Sequence, residues 1–391
     1  MRLFGPAGPG FALPPTISGM TQPFDICIRG DGIVGRTLAL LLARERLRVG
    51  LVSRNSGRLV PQTPDVRAYA LNARSRALLE SLRCWPDALY ATEVLKMQVK
   101  GDDGGALNFD AAELKVSGLT WIVDVPALEA QLAEALKFQA HIQLIDAPEP
   151  AALTVICEGR TSSSREEFGL ELEVAPYYQK AIAARLTCEL PHAQTARQWF
   201  SQGEILAFLP LDGPQGNSVA LVWSVEEGRA QALLDENPAD FCRKLELASE
   251  GCLGKLTLSS TRSAWPLQRA CAQRWVGIHE GQAWAVAGDA AHSVHPLAGQ
   301  GLNLGLADVA ALVKTLHERE YWRSVGDAIL LRRFERSRKA EVVAMGTAMD
   351  GLQQLFSQRH SAWQALRNWG MNGFEHSGPL KHWAARQAMG L

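Results

Sequence analysis

The chain has 391 residues, with 47% hydrophobic and 21% charged side chains and a formal net charge of −1. This composition fits a globular protein of two or three domains with a large core, and the near-neutral balance excludes recruitment of nucleic acid by bulk charge. Seven cysteines without a CxxC pair read as reduced thiols in a cytoplasmic protein rather than a disulfide frame or a zinc site, and no apolar run approaches the ~20 residues of a membrane span.

Residues 1–22 are broken by Gly5, Pro6, Gly8, Pro9, Pro14 and Pro15, which predicts a disordered, dispensable leader rather than a signal peptide. Phe24–Arg29 reads as an apolar strand, Thr37–Arg44 as a helix and Arg48–Ser53 as a second strand. Between the first strand and the helix lies Gly30-Asp31-Gly32-Ile33-Val34-Gly35, a GxGxxG in the βαβ context that gives the motif its meaning. Gly30 and Gly32 permit a tight turn and close approach of a pyrophosphate, and Gly35 lets helix and strand pack. The second strand of such a unit usually ends in an acid that bonds a ribose 2′-OH. Here Ser53 and Arg54 stand in its place, so adenosine binding is weaker or uses another residue.

Pro64–Leu82 carries Asp65-Val66-Arg67, then Ala70-Leu71, then an amphipathic helix. Val94–Val99 and Ala106–Phe109 read as a hairpin. Trp121–Val123 leads to Asp124, an N-cap for a helix over Pro126–Phe138. Leu153–Cys157 is a buried strand followed by Glu158-Gly159-Arg160-Thr161-Ser162-Ser163-Ser164-Arg165. Strands are expected at Tyr177–Leu186, Ile205–Leu211, Val219–Val225 and Trp275–Ile278, and helices near Glu226–Leu234 and Pro238–Ser249.

Trp284–Leu312 is the densest stretch. An apolar strand, Trp284–Ala287, runs through Gly288-Asp289-Ala290-Ala291 and a loop, His292–Ala298, into a helix near Gly299, where Leu302, Leu306, Val309, Val313 and Leu316 mark a buried face. Unpaired N–H groups and the helix dipole make that start a site for anions or polar cofactors. Gly299 and Gly301 let a flat ring approach the backbone. Beyond it, Trp322–Lys339 and Ala340–Ser357 read as two helices, and Arg332, Arg333, Arg336, Arg338 and Lys339 as a solvated basic face. The tail carries Trp363, Trp369 and Trp383 with Lys381, His382 and Arg386. A helix over Leu380–Met389 can lie on a membrane surface, against a partner, or on the protein's own core.

Together, Gly30–Gly35, Asp65–Leu71, Glu158–Arg165 and Gly288–Asp308 resemble the fingerprints of the single-component FAD-dependent aromatic hydroxylases. The run HSVHPLAGQGLNLGLADVA, His292–Ala310, is most similar to the ubiquinone-biosynthesis branch. The resemblance implies an α/β fold with an α+β insert, similar to p-hydroxybenzoate hydroxylase. A doubly wound, Rossmann-like FAD-binding domain would span 24–93, 124–176 and 279–340, an inserted antiparallel-sheet substrate domain 94–123 and 177–278, and C-terminal helices 341–391. It also implies that Asp289 bonds the ribityl or pyrophosphate region and that Pro296 and the Gly299–Asn303 backbone, with Gly301 and Leu302, lie along the isoalloxazine. Arg67 would lie near the flavin. Glu158 replaces the family's Asp in D-G-x-x-S-x-x-R.

The implied activity is hydroxylation of a polyprenylated phenol by a flavin C4a-hydroperoxide formed from O2. NAD(P)H is the implied reductant, although no second GxGxxG is present to bind it. Such a protein would be cytoplasmic and peripheral on the inner membrane, meeting its lipid phenol there or within a quinone-synthesis complex. No general base stands out; His292 and His295 read as loop histidines bonded to backbone. Two other readings stay open: a different flavoenzyme on the same fold, such as a prenyl reductase, and a non-catalytic, hydroxylase-like subunit.

Overall fold

The computed structural model describes residues 24–53, 65–101, 104–293 and 300–357, with scattered positions between 373 and 390. The leader 1–22, Arg54, His295, Pro296, Gly299 and the three tail tryptophans lie outside the described residues.

Phe24–Arg29 has Ile26, Cys27 and Ile28 fully buried, the mark of a central parallel strand covered on both faces. It is flanked by Val49–Val52 and Ala151–Ile156, each pairing with it in parallel. Ile142–Ile145 and Gln282–Val286 extend the sheet in parallel on the two sides, and Val276–His279 closes one edge antiparallel, giving six strands. The helix Ile33–Arg44 packs between two others, Val125–Leu136 and Gln300–His317. Asp124 caps the first of these neighbours, accepting from the Ala127 N–H at 2.9 Å.

The second layer is a nine-stranded sheet. Its spine is the 17-residue strand Leu172–Cys188, which pairs antiparallel with Ser218–Glu226 and with Ser263–Ala272. Glu204–Leu211 follows, then Thr195–Ser201, then the hairpin of Lys96–Lys100 and Ala106–Asp110. Thr195–Ser201 (TARQWFS) has no period-2 pattern to announce it. It is held by neighbours on both sides, one antiparallel and one parallel. The helices Glu227–Asp235 and Pro238–Ala248 cover this sheet, burying Leu233, Phe241 and Leu245 against Ile182 and Trp223. A third sheet joins Ala68–Leu71, Thr120–Asp124 and Ala91–Val94.

Two sequence expectations change at the C-terminal end. Ala328–Ser357 is one continuous 30-residue helix, not two, and residues 321–327 are not part of it. The start is set by Asp327, whose carboxylate accepts from the N–H groups of Ile329 and Leu330 at 2.9 and 3.1 Å. In the tail, Lys381 and Met389 are buried. Lys381 pairs with Glu375 at 3.0 Å and lies over the Phe109 ring, while Met389 packs with Ala111, Leu114 and Leu119, so these two residues pack on the body of the protein.

Candidate active site

The carboxyl ends of three adjacent parallel strands meet at one crevice, the place where open α/β sheets bind ligands. Phe24–Arg29 delivers Gly30, Ala151–Ile156 delivers Cys157 and Glu158, and Gln282–Val286 delivers Ala287 and Gly288. Cross-bonds lock the three exits together: the Cys157 N–H donates to Arg29 O at 2.7 Å and the Ala287 N–H to Ile156 O at 3.1 Å.

The glycines separate by role. Gly30 has φ +112°, and a Cβ there would fall 2.6 Å from Cys157 O. A Cβ on Gly35 would fall 1.9 Å from Gly30 O, so the third glycine is needed for helix and loop to touch. A Cβ on Gly32 would meet nothing within 4 Å, because Gly32 faces an open cleft of about 300 Å³. Gly30, Gly32, Arg67, Asp289, Gly301 and Leu302 of the expected cofactor residues border that cleft, joined by Asp31 and Glu158, while Gly35, Ser53 and Asn303 do not line it. Ser53, at the end of the second strand, donates from Oγ to Asp31 Oδ2 at 2.6 Å. The open space over Gly32, at the start of the helix Ile33–Arg44, fits a phosphate of an anionic dinucleotide.

Glu158 organises its own turn. Its Oε2 accepts from Ser162 Oγ at 2.7 Å and from the Ser164 N–H at 3.0 Å, and Arg165 folds back on the carbonyls of Ser162 and Arg160. The longer arm relative to Asp therefore still closes the motif.

Asp289 is solvent-accessible where it opens onto the cleft, with protein groups crowded around it and its carboxylate 4.0 Å from where a Gly301 Cβ would be. Burial is the main influence and pushes its pKa up, against the pull of His292, Arg160 and Arg67. Arg67 is gripped by Asp65, with Nε 2.9 Å from both carboxylate oxygens. Burial opposes ionisation of Asp65, but Arg67 outweighs it and holds the carboxyl below its usual range. Asn303 acts through its side chain: Oδ1 accepts from the Asn72 N–H and Ser75 Oγ at 3.0 and 2.7 Å, and Nδ2 donates to Ala70 O at 2.8 Å. It ties the helix start to the segment that carries Arg67.

Two sequence readings are corrected here. Arg338 does not belong to a solvated face; it is 2% exposed and donates from Nε to Asp308 Oδ1 at 2.8 Å. His292 bonds a carboxylate, not backbone: its Nε2 lies 2.6 Å from Asp308 Oδ2, and its ring stacks on Trp275 with centroids 5.0 Å apart. The Gly288 N–H donates to the same Oδ2 at 2.9 Å. Asp308 is fully buried; burial disfavours its charge, but His292 and Arg338 prevail and its pKa is lowered. Phe334 and Glu335 complete the inward side of that helix, one against Trp275 and the other accepting from the Trp275 N–H at 2.8 Å. Helical spacing of 334, 335 and 338 around a partly apolar stripe is the signal that marks this face as buried.

Beyond the cleft, and sharing Arg67, Tyr69, Gly159, Asp289 and Gly301 with it, lies a larger cavity of about 540 Å³. Its walls come from the nine-stranded and three-stranded sheets. Ala68, Ala70, Ala181, Ala183, Ala207 and Ala220 face it, and their small side chains leave the space. Ile122, Leu209, Val222, Trp265 and Leu267 supply apolar lining, and Gln198, Ser224 and Gln268 a few polar groups. Three cations also reach its wall, Arg67, Arg160 and Arg197. Each is already engaged, Arg160 on Pro266 O at 3.3 Å and Arg197 on His192 O at 3.2 Å.

Residues 150–347 match the family model described as an FAD binding domain. Over the whole chain, 3-demethoxyubiquinol 3-hydroxylase of Escherichia coli (strain K12) is 31% identical, covering 95% of this chain and 99% of the relative. The ubiquinone hydroxylase UbiL of Rhodospirillum rubrum is 28% identical, covering 100% of this chain and 95% of its own. Among solved structures, p-nitrophenol 4-monooxygenase PnpA from Pseudomonas putida DLL-E4 superposes with a TM-score of 0.72 at 16% identity, covering 94% of this chain and 96% of that one, which shows the fold. With its three strand ends meeting at a glycine-lined cleft, this chain belongs to the FAD-dependent aromatic monooxygenases of the ubiquinone-biosynthesis family.

Proposed function

We propose that this monooxygenase hydroxylates the ring of a polyprenylated phenol on the way to ubiquinone, with O2 as co-substrate and NAD(P)H as reductant. The observation that carries the reading is the alanine-hollowed cavity, apolar along most of its wall and opening directly onto the cofactor cleft. Its volume of about 540 Å³ lies within the ~300–1,000 Å³ of small-ligand sites. It accommodates an aromatic ring with the first part of a tail, and the rest of a long tail would extend outward. Of the three arginines at its wall, Arg67 is paired with Asp65, and Arg160 and Arg197 donate to backbone carbonyls, so the reading rests on the apolar wall rather than on an absence of cations. The names of the relatives point to the same substrate class.

In this reading Gly30 and Gly32 seat the pyrophosphate of FAD, Gly35 lets the helix pack on that loop, Asp289 bonds the ribityl side, and Arg67 lies against the ring. Backbone N–H groups from Gly301 to Asn303 would face the pyrimidine end of the ring. FAD, when bound, supplies the oxygen chemistry. The chain's own contributions are positioning, exclusion of water and electrostatics. The start of Gln300–His317 presents a positive dipole end where negative charge accumulates on a reduced flavin. Asn303 holds that start in register with the Arg67 segment. No described helix is long and apolar enough to cross a membrane, so we propose that the lipid phenol is met at the bilayer surface or handed over by a partner.

The test is turnover by the purified flavoprotein with NADPH and O2, offered a short-tailed prenyl phenol in detergent and, separately, simple hydroxybenzoates. Hydroxylated prenyl phenol, with NADPH consumption coupled to it, is expected. Rapid turnover of hydroxybenzoates with none of the prenyl phenol would overturn the substrate reading.

A further inference from the structure

We propose that Asp31 is the carboxylate that holds the adenosine ribose of FAD in this chain, replacing the acid that dinucleotide-binding βαβ units place at the end of their second strand. The inference rests on FAD as the cofactor and not on the lipid substrate. The second strand, Val49–Val52, ends in Ser53, a residue that offers one hydroxyl where a bidentate acceptor is usual. Ser53 is anchored there by its own N–H, which donates to Ile145 O at 3.0 Å. Its Oγ donates to Asp31 Oδ2 at 2.6 Å. A carboxylate from the glycine loop is thus drawn to the site where the missing one would stand.

The position of Asp31 otherwise makes little sense for a cofactor loop. It lies between Gly30 and Gly32, where a pyrophosphate approaches the backbone, and an acid aimed at the phosphates would repel them. The hydrogen bond to Ser53 and the Arg36 guanidinium, with NH2 3.7 Å from Oδ2, turn the carboxylate toward the second strand instead. Asp31 still borders the cleft. An ionised carboxylate has roughly four acceptor positions. Ser53 uses one, which leaves capacity for vicinal ribose hydroxyls donating to the same group.

The test measures binding, not turnover. FAD is stripped from wild type and from Asp31→Asn, and each apo-protein is titrated with FAD and with an analogue whose adenosine ribose is 2′-deoxy, following flavin fluorescence. Loss of a hydrogen bond to a charged acceptor predicts roughly 10–100-fold weaker FAD binding in Asp31→Asn. Wild type prefers FAD to the analogue; in Asp31→Asn that preference collapses, because the two losses are coupled. A swap, Asp31→Gly with Ser53→Glu, returns the acid to the strand end and restores FAD affinity to within a few-fold. Equal weakening for FAD and analogue would show that Asp31 only braces the loop, and unchanged FAD affinity would show that it does nothing for the cofactor; either overturns the proposal. Should wild type bind neither flavin, the FAD assignment falls with it.

Discussion

Asp308→Ala is the most informative single change in this structure. Asp308 is fully buried and accepts from three groups: the Gly288 N–H, His292 Nε2 and Arg338 Nε. Removing it leaves Arg338, 2% exposed, with its Nε unpaired and only the exposed Glu341 carboxylate on NH1 and Leu304 O on NH2 to hold the charge. Breaking a buried ion pair from one side costs up to about 3–5 kcal/mol when the surviving charge is left uncompensated, and the Glu341 contact lowers that figure here. The Gly288 N–H, also buried, adds the cost of an unsatisfied donor, ~1–3 kcal/mol. Against a typical total of ~5–15 kcal/mol this is a large fraction. Arg338→Met removes the other charge and leaves Asp308 with Gly288 and His292, so it too is destabilising. The double variant leaves no orphaned ion, and its cost falls well below the sum of the singles. Urea unfolding of the three variants, read by tryptophan fluorescence, measures this. Because Gly288 leads directly into Asp289, flavin retention on gel filtration drops in parallel. If each single variant costs under about 1 kcal/mol, or the two simply add, the pair is not the coupled buried unit the geometry describes.

Three other outcomes are expected. Gly32→Ala leaves the apo-protein's melting temperature near wild type, since its Cβ meets nothing within 4 Å, but abolishes FAD binding; Gly35→Ala, with a Cβ 1.9 Å from Gly30 O, lowers the melting temperature itself. Equal behaviour of the two in thermal melts would contradict the separation of roles. Asp289→Ala retains the fold and loses FAD affinity by roughly 10–100-fold in titration, as the loss of a charge-assisted hydrogen bond dictates; undiminished flavin content would remove Asp289 from the site. His192 is fully buried, takes a hydrogen bond from the Gln194 N–H on Nδ1 and bonds Leu211 O through Nε2, and burial lowers its pKa. A histidine kept neutral in the fold contributes stability that is full above the unfolded value of about 6.5 and is lost as pH falls below it toward the folded value. Urea midpoints measured from pH 8 to 5 decline less steeply in His192→Gln than in wild type, and parallel profiles would refute the assignment.

The glycine-lined cleft was legible in the chain because the elements that form it are local. A strand, a glycine turn and a helix lie consecutively in Phe24–Arg44, and again around Asp289, so spacing alone reports the contact. What spacing could not report is the long-range partner of each motif. Asp308 lies 30 residues from Arg338, and nothing in the run of arginines distinguishes the one that turns inward from those that face water. The neighbours Phe334 and Glu335 hold the clue, since both also face Trp275. Asp31 was invisible for a similar reason: Ser53, 22 residues on, is what gives its carboxylate a direction.

The substrate half was harder, and the reason is a property of absence. Strand residues Ala181, Ala183, Ala207 and Ala220 read in sequence as unremarkable members of apolar strands such as ILAFLPL and VALVWSV. Leucine or valine at the same positions would give nearly the same pattern and a filled sheet face. Only when Glu204–Leu211 and Ser218–Glu226 are placed side by side, in the register that sets Ala207 opposite Val222 and Leu209 opposite Ala220, do the small residues fall on one wall. Interiors are otherwise packed close to crystal density, so a face kept small on several strands is an unfilled volume that the fold maintains at a cost in buried contacts. That volume meets the cleft at Arg67, Tyr69, Gly159, Asp289 and Gly301. A hydroxylase needs its aromatic ring within bonding reach of the flavin and away from bulk water. A cavity that adjoins the cleft along one short shared rim achieves both, with residues that come from the nucleotide-binding strands and from the first segments leading out of them.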